Sequence, residues 1–400
     1  MSTADGPSDK NIGCAIYLHI PFCVSKCHYC DFASYAGKSH LLEPYLNALL
    51  TEIGSASVQE NTRRIGSVYM GGGTPSTISP ETAEKIMSAV AKKFNPSASS
   101  EKTIEANPES VTPERLAGYI KAGFNRLSIG VQSFNDRNLK SLGRAHDSQR
   151  ALEAFDMARK AGFKNISVDL IYGIPGQTLS EFAEDISKAV SLAPEHISAY
   201  QLTVEEETPL WDMVEKGTVI MPEDTLLLEM FEKTVTSLSK AGYRHYEVSN
   251  FAKPGMECKH NLSYWLGEEF LGFGNGAHSF INSSRFANPD EPEDYIYEVD
   301  TAGRAGAEIL GDEKDRVLEF LLMRLRLVGK KLTFKELDEK FFPFGRHDKH
   351  GPRPLFDETY RHPLDWISKN GLAEVNSDGF TLTHKGLLFL DDILLEFEKV

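Results

Sequence analysis

The chain has 400 residues, more than one ordinary hydrophobic core organises, and its 41% hydrophobic and 25% charged residues are those of a folded globular protein. A formal net charge of −15 excludes a general grip on nucleic acid, which needs a basic face, and no apolar run approaches the ~18 residues of a membrane span. Residues 1–11 are polar and lack the basic start and apolar stretch of a secretory signal, so a cytoplasmic location is expected, with peripheral membrane contact left open.

The first predicted strand, 15–20, runs into Tyr17-Leu18-His19-Ile20-Pro21-Phe22-Cys23-Val24-Ser25-Lys26-Cys27-His28-Tyr29-Cys30. Three of the five cysteines, Cys23, Cys27 and Cys30, crowd into eight residues, which is not the spread of a secreted disulfide framework. Their C-x3-C-x2-C spacing lets three thiolates hold three irons of a cubane cluster. Such clusters normally take four thiolates, so one iron stays open to chelate an outside amino and carboxylate group, as the methionine end of S-adenosylmethionine (SAM) offers. The competing reading is zinc with His28 or His19 as fourth ligand. Zinc knuckles usually present two separated ligand pairs, and no second pair exists here.

A helical pattern over 41–53 and a strand over 67–70 follow, the latter ending in Gly71-Gly72-Gly73-Thr74-Pro75. Glycines there let a backbone approach a ligand and expose N–H groups, or simply make a tight turn; no Gly-Lys-Ser/Thr follows, so this is not a nucleotide-binding P-loop. A helix over Pro80–Phe94 leads to a strand over 103–106, which carries Glu105. Thr112-Pro113-Glu114 reads as a helix start, with Gly123 and Gly162 at later helix ends. Strands over 126–130, 166–171 and 196–202 complete six βα units; Gln132 follows the first of these, and Asp169 lies inside the apolar run 168–171. A carboxylate among apolar residues is costly unless paired or ligand-bound. The alternation implies a parallel sheet with ligands at the C-terminal strand ends, either in a partial or full βα barrel or in a doubly wound sheet. The shared placement of Glu105, Gln132 and Asp169 suits one ligand with amines and hydroxyls, and Arg144 can meet a carboxylate.

Residues 1–225 are read as the βα domain and 226–311 as a connecting region. That region holds a Gly-rich stretch over 266–276, a polar loop over 282–294 and Cys258-Lys259-His260-Asn261-Leu262-Ser263-Tyr264-Trp265. Residues 312–400 read as a helical, winged-helix-like domain: helices over 315–327, 333–340 and 362–369, then a hairpin of 373–375 and 379–382. Without a basic recognition helix, docking or lid duty is expected of it rather than DNA binding. The basic loop 346–353 can touch ligand carboxylates or simply be solvated.

The Tyr17–Cys30 string, the GGGTP turn, Glu105 in Ile-Glu-Ala-Asn-Pro, Gly130-Val131-Gln132-Ser133-Phe134 and Asp169-Leu170-Ile171-Tyr172-Gly173-Ile174-Pro175-Gly176 resemble the anaerobic coproporphyrinogen III oxidase family of radical SAM proteins, in the family's order. The chain is most similar to that family's haem-chaperone branch. The true oxidases carry a further cysteine where Phe32 stands, and a longer arm than the 22 residues before Cys23 here. The H-N-x-x-Y-W string at His260–Trp265 matches that branch's haem-linked motif. His28 departs from the branch, which usually has proline there.

The resemblance implies a (β/α)6 partial barrel with a C-terminal helical domain, and a [4Fe-4S] cluster on Cys23, Cys27 and Cys30. It implies SAM contacts from Tyr17, Gly72 and Glu105, and a second SAM set matching Tyr29, Gly73, Thr74, Gln132, Arg144 and Asp169. Haem would bind through His260; Cys258 is a weaker candidate, because C-x-H is not the C-x-x-C-H attachment signature. Implied partners are a haem-acceptor protein and an electron donor. The alternative activity is oxygen-independent coproporphyrinogen III oxidation, the oxidative decarboxylation of propionates.

Overall fold

The protein is described by a computed structural model over residues 12–57, 63–309, 313–341 and 355–400. Six parallel strands alternate with helices: β1 (Cys14–Ile20), α1 (Leu42–Ser55), β2 (Ile65–Gly72), α2 (Pro80–Phe94), β3 (Glu101–Ala106), α3 (Pro113–Lys121), β4 (Arg126–Gln132), α4 (Ser148–Ala161), β5 (Ile166–Tyr172), α5 (Leu179–Ser191) and β6 (His196–Gln201). They pair in the order β1-β2-β3-β4-β5-β6, the succession of βα units that the alternation of patterns predicts. Local chemistry sets the helix ends. Ser79 and Thr112 accept N-cap hydrogen bonds from Thr82 N and Arg115 N, proline opens α2 and α3, and Gly162 closes α4 at φ 111°.

Each strand is two-faced. Val68, Met70, Ile104, Leu127, Ile129, Val168, Leu170 and Ile197 point outward into the main core under the helices. The alternate positions, Ser67, Tyr69, Thr103, Glu105, Arg126, Ser128, Ser167, Asp169, His196 and Ser198, make the concave face polar. A doubly wound sheet buries apolar side chains on both faces. The polar concave face is that of an open barrel lumen, which settles the alternatives left by the strand pattern.

Residues 226–311 do more than connect. A helix α6 (Asp224–Lys240) returns the chain to a hairpin of β7 (Arg244–Glu247) and β8 (Asn250–Ala252), and β8 joins β6 antiparallel. Helix α7 (Lys259–Trp265) then leads to β9 (Phe270–Phe273), which pairs parallel with β1 at the other edge. Strands β10 (His278–Ile281), β11 (Ser284–Ala287) and β12 (Ala307–Ile309) extend that edge, giving a twelve-stranded open sheet among the described residues. The polar loop expected over 282–294 is therefore corrected. Asn282 and Ser283, at φ 52° and 63°, form a two-residue turn between β10 and β11, and a helix starts at Pro292. Ser284-Arg285-Phe286-Ala287 is four residues long and half-buried throughout, so no inside-outside alternation marks it as a strand.

The C-terminal part has its own core, built around Leu321, Leu337, Phe356, Phe380, Ile393 and Phe397. Its three-stranded sheet, Leu332–Thr333, Gly379–Leu382 and Ala373–Asn376, with helices Glu313–Leu325, Phe334–Phe341 and Arg361–Lys369, matches the helix-and-hairpin reading. The basic loop 346–353 lies outside the described residues. No helix among the described residues is long and apolar enough to cross a membrane.

Candidate functional site

The cysteine loop is pinned at both ends. Phe22–Cys23 pairs with Tyr35–Ala36, and the turn after β2 is tied beneath it by Gly73 N to Ile20 O (2.9 Å) and Thr74 N to Phe22 O (3.0 Å). His28 anchors the loop's middle: its N–H donates to Leu142 O (3.1 Å), its Nδ1 lies 3.1 Å from Ser141 O, and its O accepts from Leu210 N (2.8 Å). The ring rests on Gly143, where a Cβ would come within 2.8 Å of it. His28 therefore faces away from the thiols. His19 is also committed, with Nδ1 3.0 Å from Tyr17 Oη and Nε2 2.9 Å from Ala33 O. Among the described residues no three His, Cys, Asp or Glu groups gather as they would for a single metal ion. With both histidines committed elsewhere, three thiols are what this loop offers a metal centre, a donor set that fits the cluster reading.

Each thiol meets at least one polar side chain. Thr74 Oγ1 donates to Cys23 Sγ (3.4 Å), Arg144 Nη1 to Cys27 Sγ (3.4 Å), and Ser34 Oγ lies 3.7 Å from Cys30 Sγ. Such contacts tune a cluster's potential. Burial pushes the Cys23 and Cys30 thiols above the ordinary thiol pKa. The glycine turn is packed, not merely bent: a Cβ at Gly73 would stand 2.9 Å from Cys23 Sγ and from the Pro21 backbone. At Gly72, whose φ is 114°, a Cβ would stand 2.7 Å from the His19 ring.

The three cysteines open onto a cleft of about 120 Å³ at the C-terminal ends of the strands. Tyr29, Gly72, Gly73, Thr74, Glu105, Gln132, Arg144 and Asp169 all line it. Glu105 accepts a 2.6 Å hydrogen bond from Tyr69 Oη; burial raises its pKa to about 7, with the Tyr69 bond opposing. Asp169 is held by three serine hydroxyls, Ser128 at 2.8 Å, Ser167 at 2.9 Å and Ser198 at 2.7 Å. Gln132 sits at φ 64° on a β4 irregularity, a left-handed conformation unusual for a non-glycine residue, which turns its side chain into the cleft. Arg144 donates from Nη2 to Asn107 Oδ1 (2.6 Å) and Gly130 O (3.0 Å), while its buried Nε has no hydrogen-bond partner among the described residues. An orphaned guanidinium N–H, an acid and glycine backbone without side chains at one opening suit a small zwitterion.

Two expected ligand residues lie elsewhere. Tyr17 points into the lumen beneath Gly71, its ring centroid 6.3 Å from that of Tyr69. His260, on α7, is only 2% exposed and sits deeper in the lumen. Its Nδ1 lies 3.1 Å from Ser67 Oγ, its Nε2 2.9 Å from Tyr264 Oη, and its ring stacks on Tyr69 at 4.7 Å. Burial first, then Arg126, lowers its pKa to about 3, so it is a neutral imidazole with both nitrogens engaged. Helix α7 is clamped at its start: Lys259 N and His260 N donate to Glu101 (both 3.2 Å), as does Cys258 Sγ (3.4 Å). Cys258 is fully buried, with its pKa raised to about 12, and is closed to a ligand as it stands.

Asn107 escaped the sequence reading. It bridges Arg144 to Thr74 Oγ1 (3.0 Å) and so joins the turns after β2 and β3. Its place beside Glu105 in Ile-Glu-Ala-Asn-Pro was the available signal.

Residues 17–189 match the family model of the radical SAM superfamily. The chain is 36% identical over 385 residues to heme chaperone HemW of Bacillus subtilis, covering 95% of this chain and 98% of that one. It is 33% identical over 386 residues to heme chaperone HemW of Escherichia coli, covering 95% and 97%. In fold it is similar to the solved coproporphyrinogen III oxidase HemN of Escherichia coli, a radical SAM enzyme: TM-score 0.81, 25% identity, 96% of this chain and 89% of the other.

Proposed function

The chain belongs to the HemW family of radical SAM proteins, and on that premise we propose that it is a haem chaperone, binding haem and passing it to an acceptor protein. The observation that carries this reading is the near-full-length likeness to HemW, together with a cleft in which three cysteines, Glu105, Gln132, Arg144 and Asp169 converge.

In this reading Cys23, Cys27 and Cys30 hold a [4Fe-4S] cluster, and the cleft takes SAM against its open iron. When bound, that pair supplies reductive cleavage of a sulfur–carbon bond. The chain's own residues do the positioning. Thr74, Arg144 and Ser34 direct donors at the thiols, Glu105 offers an acceptor for an ammonium group, and Arg144 Nε remains for a carboxylate. Tyr29, Gly73, Thr74, Gln132, Arg144 and Asp169, which line the same cleft, are in this reading the set for a second SAM.

Haem is assigned to His260 in the H-N-x-x-Y-W motif. The imidazole is neutral, as an axial ligand must be, but iron would have to displace Tyr264 from Nε2. The haem state is therefore one in which α7 has moved. The site is read as cytoplasmic, with an electron donor for the cluster.

Likeness to HemN supports the second reading, oxidative decarboxylation of coproporphyrinogen III. Against it, Phe32, 62% exposed, stands where the oxidases carry a further cysteine. One experiment separates the two. Reconstituted protein titrated with haem should give a Soret shift that His260→Ala abolishes, and should not convert coproporphyrinogen III. Turnover to protoporphyrinogen IX that Cys27→Ser abolishes, without a haem spectrum, would favour the oxidase.

A further inference from the structure

We propose that Tyr69 is a positioning residue that couples occupancy of the cleft to the hold on His260. The inference rests on the reading above that SAM occupies the cleft, and it says how that occupancy reaches the haem motif.

The cleft and the motif helix are separate in sequence and joined in space by this side chain. Tyr69 Oη donates to Glu105, which lines the cleft, at 2.6 Å. The other side of the same ring stacks on His260, centroids 4.7 Å apart and planes 24° from parallel. Beyond it, Nε2 of His260 engages Tyr264 Oη at 2.9 Å, and Tyr264 packs edge-on against Phe270 of β9 at 4.6 Å. The lumen thus holds an unbroken run from a cleft carboxylate to the motif helix. All of its members stand on strands or on α7, so a shift of one is felt by the next.

The sign follows from charge. An ammonium group placed against Glu105 stabilises its carboxylate form, and a hydroxyl donates more strongly to an anion than to a neutral acid. Tyr69 is then held harder, its ring stays over His260, and Nε2 stays with Tyr264. With the cleft empty, Glu105 is more readily protonated, the Tyr69 bond weakens, and His260 is freer to leave Tyr264 for iron. SAM should therefore tighten α7 and weaken haem binding, and by reciprocity haem should weaken SAM binding by the same factor.

Two measurements on anaerobically reconstituted full-length protein test this. Amide hydrogen exchange over residues 261–265 should slow by about fivefold or more when SAM is added. In Tyr69→Phe, which keeps the ring and loses the hydroxyl, the SAM-dependent change should fall below about twofold while SAM still binds by equilibrium dialysis. Ser67→Ala removes a tether of His260 outside the run. It should speed exchange with and without SAM but keep the ratio between them, so mere loosening of the helix is told apart from lost coupling. Soret titration should give a haem Kd about fivefold weaker with SAM in wild type and unchanged by SAM in Tyr69→Phe. An equal SAM effect in wild type and Tyr69→Phe, or no effect in wild type with SAM bound, overturns the coupling. Failure of wild type to bind SAM at all overturns the cleft reading and the coupling with it. Failure to bind haem overturns only the haem assignment, since the exchange result still decides the role of Tyr69.

Discussion

Replacing Glu105 by glutamine should stabilise the protein at alkaline pH while weakening the site. The folded pKa of Glu105 is about 7, against about 4.3 in an unfolded chain. Because the folded value is the higher, the native state binds more protons than the unfolded state between these values. Stability is therefore lost as pH rises from about 4.3 to 7. For a side chain wholly shielded from water, the loss between pH 5 and pH 8 is about 2.5 kcal/mol. One side of Glu105 faces the open cleft, and water there reduces the expected loss to about 1.5 kcal/mol. Glutamine keeps the Tyr69 hydrogen bond through its amide oxygen and has no proton to lose. The assay is urea unfolding of cluster-free wild type and Glu105→Gln at pH 5 and pH 8, taken as a difference of differences so that other titrating groups cancel. The variant should gain about 1.5 kcal/mol on wild type between the two pH values. An equal pH dependence in the two proteins would refute the claim that burial strains this carboxylate, and with it the view that the cleft is poised for a cation.

Other outcomes follow from the same geometry. His260 has the opposite sign: its folded pKa of about 3 lies below the ordinary 6.5, so its contribution is intact above pH 6.5 and lost as pH falls toward 3, and His260→Asn should lose about 2 kcal/mol less than wild type between pH 7 and pH 5 in the same unfolding assay. Gly73→Ala, whose Cβ would stand 2.9 Å from Cys23 Sγ, should cut iron content after reconstitution by more than half with circular dichroism unchanged; full loading would show that the turn gives way. Arg144→Lys keeps the charge but not the fork that reaches Cys27, Asn107 and Gly130, so SAM affinity by equilibrium dialysis should drop about tenfold with the cluster retained. Thr178→Ala, which breaks the capping box of α5 far from the cleft, should cost about 1 kcal/mol in urea unfolding and leave SAM binding untouched.

The parts of the molecule that could be read in advance are those where one residue type has one physical job. The six parallel strands announced themselves because their outward positions must be apolar to meet the helices, and Pro80, Pro113 and Gly162 punctuate the helices by backbone geometry alone. The cleft was legible for a related reason: Gly72, Glu105 and Gln132 stand at or next to the ends of strands whose C-terminal ends must face one opening, and Asp169 is a lone carboxylate within an apolar strand. What hid was whatever depends on a partner distant in sequence. Strand β11 is four residues long and half-buried throughout, and its pairing with β10 and β12 makes it a strand where nothing local marks it as one. Asn107 looks like an ordinary turn residue until Arg144 is beside it. The burial of His260 also could not be read, since H-N-x-x-Y-W does not say that Ser67 and Tyr69 meet the imidazole while Glu101 holds its backbone N–H.

The central claim is that three thiols hold a cluster with one iron left for SAM. Its most direct measurement is the electron paramagnetic resonance spectrum of anaerobically reconstituted, reduced protein before and after SAM is added. The account predicts a [4Fe-4S] signal that changes on SAM addition in wild type and is absent from Cys27→Ser. A reconstituted protein that carries zinc instead of iron, or a cluster signal indifferent to SAM, would contradict it.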